Sequence, residues 1–384
     1  MVRSKTNDSE RGVSKDLISR RSILQAAGVA SLTGFGVGRT FARDDRVEIP
    51  YVKRGDEVVM TKEVPQEWYE HVQHVRQVAD TANEQFSSNP GVLGMGIAKS
   101  NRRYGGKNGL LVEAKVHPSQ YAGTLPDEVE GIPIETTETE GAFNMSDCVH
   151  LDDFSEVQGG ITVEGEVSDG ELQRGTSCLK VYNDNDDPRL LTANHLWGSC
   201  SYPIDEDAYQ NGTKFGKVDM SDPDADIALI KEQSSEKSLE PGINDENTNW
   251  DVSGYYTEDS IEDMISEERE VRSMGCTTGL TEGPVTGKGL TPPDTCYDAD
   301  GEAVEVEAVG GEGDSGGPVY GIEEYFGNRY AVMLNVIQAG DDQFDSINCT
   351  SGVADPDNES LVGQKQYGIA FYHLQDEYNL SGAT

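Results

Sequence analysis

From Val157 onward the chain breaks into many short β-prone runs, beginning with "VQGGITVEGEV" and divided by Gly and Asp at turn positions. Gly supplies left-handed backbone and Asp caps turns, so this pattern prescribes an all-β barrel or sandwich. The preceding region reads differently. "VPQEWYEHVQHVRQVADTANEQF" carries Trp68, Val72, Val75 and Val78 at helical spacing with Pro65 near its start, which predicts one amphipathic helix. "GVLGMGIAK", "GLLVEAKVH" and "GIPIETTE" then predict three short strands packed on that helix, a compact α+β unit of its own. The boundary falls near Asp152 to Gln158, dividing the chain into 1–42, 43–156 and 157–384. The stretch from Lys231 to Glu268 is polar and acidic apart from "DVSGYY", and it predicts solvated loops joining two halves of the β domain.

Charge narrows the partners. Seventy Asp and Glu against 30 Lys and Arg give a formal net charge of −40, with the acids scattered along the whole chain. A nucleic-acid backbone would be repelled, so no nucleic-acid partner is expected. Dispersed acid with few lysines resembles the composition of proteins from extreme halophiles, where molar salt screens the self-repulsion. The apolar runs exclude a disordered acidic chain.

The first 42 residues supply an address. "SRRSILQAAGVASLTGFGVGRTFA" places Ser19-Arg20-Arg21 before an uncharged, Gly-diluted apolar stretch and a small-residue end at Ala42, the pattern of a twin-arginine export signal. The run from Ser22 to Gly38 falls short of the roughly 20 residues of a membrane span. A secreted, soluble monomer with no membrane contact after signal removal is the expectation. Six cysteines (Cys148, Cys178, Cys200, Cys276, Cys296, Cys349), none in a Cys-x-x-Cys pair, then suit disulfides better than zinc. His71 and His74 are three apart on the helix, and His117 lies nearby, but without a further ligand in register they read as solvent-facing. No metal and no cofactor is expected.

Three residues carry candidate chemistry. Acyl transfer needs a hydroxyl, a base in reach, a carboxylate that fixes the base's tautomer, and N–H donors for the oxyanion. Gly313-Asp314-Ser315-Gly316-Gly317-Pro318 can turn sharply and bring the amides of Gly313 and Ser315 to one point. His195 ends the strand-like run "RLLTANHLW", which puts its imidazole at a rim. Asp226 immediately precedes the apolar run Ile227-Ala228-Leu229-Ile230 and could reach His195, whereas Asp222 and Asp224 read as acids of an exposed turn. Each has a plain alternative taken singly: a capped strand end, a turn residue, a glycine loop.

Together, "LTANHLW", "DADIALI" and "GDSGGPV", in the order His, Asp, Ser, resemble the chymotrypsin-like serine peptidases. The short His-to-Asp spacing, "VRSMGCTTGLTEGPVTG" and "VQGGITV" are similar to the streptogrisin branch, over about Val157 to Gly340. The resemblance implies a mainly β fold of two antiparallel barrels with His195 and Asp226 on the first and Ser315 on the second. It implies a secreted serine endopeptidase acting on protein or peptide substrates. It also implies a Cys178–Cys200 disulfide and an ion pair of Arg272 with Asp314 that holds the oxyanion loop. By alignment on the serine, Val309 falls near the base of the substrate pocket and Val336 to Gly340 form a wall, which argues against a preference for Lys or Arg.

Departures accompany it. Leu196 stands where the family usually has Cys, the cysteine being delayed to Cys200, and Gly311 stands where the second disulfide usually begins. Cys276 with Cys296 is the best second bridge, leaving Cys148 with Cys349. The N-terminal α+β unit would be a pro-domain or folding aid. Two other readings stay open: a non-catalytic binding protein at the cell surface on the same fold, and an α/β-hydrolase elbow at Gly313-x-Ser315-x-Gly317. The hydrolase would require His373 as base and alternating helices that the β-rich region lacks.

Overall fold

The computed structural model describes residues 45–117, 125–138, 153–168, 170–183, 185–198, 200–234, 236–245, 248–289, 302–311, 313–323, 328–339 and 362–382. The export signal, Cys148, Cys296 and Cys349 lie outside the described residues. The run "IALI" shows why a strand can be apolar throughout. In the strand Ile227–Glu232, Ile227 and Leu229 enter one core while Ala228 and Ile230 enter another, because successive side chains point to opposite faces. That strand lies inside an eight-stranded antiparallel sheet, between Pro188–Ala193 and Thr213–Asp222. One face of the sheet encloses a small core of Val163, Leu190, Leu196, Ala208, Phe215 and Ile230.

The second half is a closed antiparallel ring. Glu270–Gly275 pairs with Gly279–Lys288, which pairs with Ala303–Val306, then Lys365–Ala370, Arg329–Ala339, Pro318–Ile322 and back to Glu270–Gly275. Closure removes the exposed strand edges that an open sheet of this size would carry. The fold is therefore mainly β.

The N-terminal segment does contain the expected helix, α1 (Gln66–Phe86), and strands Val92–Tyr104, Lys107–Val116 and Ile132–Glu138. It is not a unit of its own. Asp44–Thr384 forms one compact unit, with the segment attached to the second sheet at two places. Arg46–Arg54 pairs with Val252–Tyr256, and Val92–Tyr104 pairs with Gly279–Lys288 through Gly287↔Ala98 and Lys288↔Ile97. The physical reason is edge satisfaction: Gly279–Lys288 runs past its last pairing with Glu270–Gly275 at Pro284, and Val252–Tyr256 lies outside the ring, so each leaves an edge for an N-terminal strand.

Charge reinforces the attachment. The acidic stretch expected to be solvated loops instead contains α2 (Glu258–Glu267), capped by Thr257, with Glu262 and Asp263 fully buried. Their burial is possible because the N-terminal segment supplies cations. Arg76 meets Glu262, Asp259 (2.6 Å) and Glu258 (3.1 Å), and Asp263 meets Lys62 (2.6 Å) and Lys107 (2.8 Å). Lys115 likewise pairs with buried Glu305, whose carboxyl is held down at about 2 by Lys115 and Lys365 against the opposing effect of burial.

His71 is also not solvent-facing. It is buried, stacked on Tyr104 at 3.6 Å, and its Nε2 accepts from the Leu110 amide at 3.0 Å. Its pKa is lowered by burial. His74 and His117 are half-buried, His74 lying 3.9 Å from Glu130, and no group of metal ligands occurs among the described residues.

Candidate active site

The strand Pro188–Ala193 ends in a 3-10 turn, Asn194–Trp197, closed by Gly198 at φ +98°. Asn194, Leu196 and Trp197 are buried in that turn while the His195 ring keeps about a quarter of its surface, so the turn anchors three residues and presents the fourth. The anchoring is dense. Asn194 N–H donates to Asp226 O (3.0 Å), its side-chain amide donates to Ser201 O (2.9 Å), and Ser221 Oγ donates to Asn194 Oδ1 (2.6 Å).

Asp226 is left-handed (φ +52°) and buried. Asp tolerates this conformation better than most residues, and here it points the carboxylate back at the histidine. Oδ1 accepts from the His195 amide at 2.8 Å and Oδ2 lies 2.6 Å from His195 Nδ1. The pair leaves Nδ1 protonated and Nε2 as the basic nitrogen. Burial pulls the His195 pKa down, but the adjacent Asp226 charge and its hydrogen bond outweigh that and leave it raised.

Ser315 sits between two left-handed glycines, Gly313 and Gly316, both at φ +93°. A side chain would not fit at either. A Cβ at Gly313 would fall 2.4 Å from Thr277 Oγ1, and one at Gly316 would fall 2.1 Å from Thr176 O. Gly316 packs on Thr192 Oγ1 and the Ala193 amide, which brings the serine loop against the end of the strand that leads to His195. Among the described residues no hydrogen bond joins Ser315 Oγ to His195 Nε2, and the amides of Gly313 and Ser315 donate to no acceptor.

Asp314 is held differently from the expectation. Arg272 turns outward to Glu282 across the strand pair, where the two residues are register partners. The fully buried Asp314 carboxylate instead accepts from the amides of Thr277 (2.8 Å), Thr278 (3.1 Å) and Gly311 (2.8 Å) and from Thr278 Oγ1 (2.5 Å). Burial nevertheless raises its pKa, since these four donors only partly offset desolvation. Gly275 makes room: a Cβ there would lie 2.0 Å from Asp314 Oδ1.

Two proposed bridges do not form. Cys178 and Cys276 are both free and buried. Cys200 is disulfide-bonded, but not to Cys178. The delay of the cysteine past Leu196 carries it onto an exposed left-handed position (φ +57°) after the turn, while Cys178 lies in the core. Cys276 spends its thiol on Gly313 O (3.0 Å) and Gly175 O (3.4 Å), and burial pushes its pKa up to about 11. Val309 contributes its carbonyl, which accepts from Thr281 Oγ1 (2.9 Å) and Gln366 Nε2 (2.7 Å). The fully buried Gln366 beside it is a polar residue that the sequence pattern did not single out, and neither did it single out Thr176, Thr277 or Thr278. "CTTG" and "GTSC" were visible, but a threonine's role depends on which loop it faces.

No protein-family model and no curated protein matches the chain. Among solved structures, Thermobifida fusca protease A is similar at 19% identity and a TM-score of 0.40, over 60% of this chain and 99% of that one. Nocardiopsis protease is similar at 17% and 0.39, over 60% of this chain and all of that one. Cellulomonas bogoriensis chymotrypsin is similar at 18% and 0.38, over 60% and 99%.

Proposed function

We propose that this protein is an exported serine endopeptidase. The observation that carries the reading is the Asp226 carboxylate clasping both the amide and Nδ1 of His195, next to a serine loop turned by two left-handed glycines whose Gly313 and Ser315 amides have no acceptor among the described residues. His195 Nε2 takes the Ser315 proton as Oγ attacks a peptide carbonyl, and Asp226 stabilises the imidazolium. The free amides receive the oxyanion. His195 then protonates the leaving amine, and water, activated by the same histidine, releases the acyl group from Ser315. No metal or cofactor enters these steps.

In this reading residues 1–42 direct twin-arginine export of a halophilic-type protein that works as a monomer. The segment 43–156 acts as a pro-domain-like folding partner of the peptidase body, supported by its two strand pairings and by the cations it gives to α2. The test is digestion of an unfolded protein by the folded chain in molar salt, with new peptide ends read by mass spectrometry. Wild type is expected to generate defined ends and Ser315→Ala none; equal products from both would end the proposal. The absence of a Ser315–His195 hydrogen bond favours one alternative, a cell-surface binding protein that keeps the cleft without turnover. That alternative gains if the folded wild type cuts nothing.

A further inference from the structure

Thr176 ends the strand Glu171–Thr176 at the edge of the first sheet and is fully buried. Nearly every polar atom it owns is committed to the serine loop or to the residues beside it. Its amide donates to Ser315 O at 2.7 Å, and its Oγ1 donates to Gly313 O at 2.6 Å while accepting from the Cys276 amide at 2.9 Å. Its carbonyl accepts from Thr192 Oγ1 at 2.8 Å, on the strand that leads to His195. Thr176 thus touches the serine loop from one side and the histidine strand from the other.

The geometry points to Thr176 as a positioning residue that sets the Ser315 loop relative to His195, an inference that rests on the serine-peptidase reading. Gly313 O and Ser315 O both accept from this one residue, Gly313 O also from the Cys276 thiol at 3.0 Å, so Thr176 pins the loop on either side of Asp314. Proximity catalysis is steep: a displacement of about 1 Å costs on the order of 100-fold in rate. A hydroxyl is required here for a reason of valence. Only a hydroxyl can donate to Gly313 O and accept from Cys276 N–H at once, and valine, of the same shape, can do neither.

The experiment compares Thr176→Val, Thr176→Ser and Ser177→Ala by second-order labelling with a fluorophosphonate, by kcat and KM on a peptide substrate, and by hydrogen exchange. Ser177 is the control. It is equally buried and hydrogen-bonded, accepting from the Ile161 amide at 3.1 Å, but its hydroxyl bonds are to Gln158 and Ile161, away from the serine loop. Thr176→Val is expected to lose roughly 100-fold in labelling and kcat with KM nearly unchanged, Thr176→Ser to recover most of it, and Ser177→Ala to lose stability but not rate. Labelling of Thr176→Val at the wild-type rate, or an equal loss in Ser177→Ala, would overturn the inference. Exchange of the Asp314 and Gly317 amides, which close the loop onto Gly311 O (3.0 Å) and Asp314 O (2.9 Å), decides the matter without any turnover. Those amides should exchange faster in Thr176→Val alone, and unchanged exchange there contradicts it. A wild type that is not labelled at all would count against the peptidase reading, with the exchange result still deciding the role of Thr176.

Discussion

At the scale of single residues the His195–Asp226 pair governs the pH response. The proposed mechanism uses His195 as the neutral imidazole, and against the lowering effect of burial Asp226 raises its pKa above the ordinary 6.5. Activity should therefore rise with pH through a midpoint above that value. The stability contributed by the same pair has the opposite sign, being present below the unfolded-state pKa and lost as pH climbs through the raised folded-state value. Asp226→Asn should lower kcat on the order of 10⁴-fold by fixing the wrong tautomer, and a kcat/KM profile should show its residual ascending limb moved to lower pH. A variant whose limb stays in place would show that Asp226 does not set the histidine's pKa. The contact of His195 with Asp226 was legible because one ends and the other precedes an apolar strand run, and so was the need for glycine at Gly313 and Gly316. Arg272 was misread because a cation's partner is set by strand register: opposite Glu282, it has a nearer carboxylate than Asp314. The cysteines were misread for a related reason, since spacing cannot show that Cys178 is sealed in a core and Cys200 carried out of it.

At the scale of elements, α2 joins the N-terminal segment to the body. Helix α1 and the strands after it followed from periodicity, whereas α2 did not, since a run of acids reads as solvated until the cations that bury it are known. Breaking a buried pair from one side is far more costly than never having built it. Arg76→Ala leaves fully buried Glu262 with only the more distant Lys288, at 3.5 Å. The expected loss is about 3–5 kcal/mol, measured by urea unfolding in constant salt. Arg76→Ala with Glu262→Gln should recover part of it, because an uncharged amide is cheaper to bury. A single-variant loss below about 0.5 kcal/mol, the size of an ordinary surface change, would mean that α2 is not held by these pairs.

Across the whole molecule the net charge of −40 acts on every surface at once. Self-repulsion among exposed carboxylates opposes the compact state, and at about 1 M salt the Debye length falls to about 3 Å. Melting temperature should therefore increase from 0.1 M to molar KCl, with the buried pairs of α2 contributing little to the slope because they are screened least. A melting temperature independent of salt would contradict the halophilic reading of the composition. The β-rich body was legible from the turn pattern after Val157 and its two halves from the motif resemblance; the merging of the N-terminal segment into the second sheet was not, since strand runs do not declare which edge they will meet. The most direct test of the central claim is intact-mass and peptide mapping after fluorophosphonate treatment of the folded chain in molar salt. One adduct per chain, mapped to Ser315 and absent from Ser315→Ala and His195→Ala, is the expected result. No adduct on a demonstrably folded protein, or an adduct that survives Ser315→Ala, would contradict it.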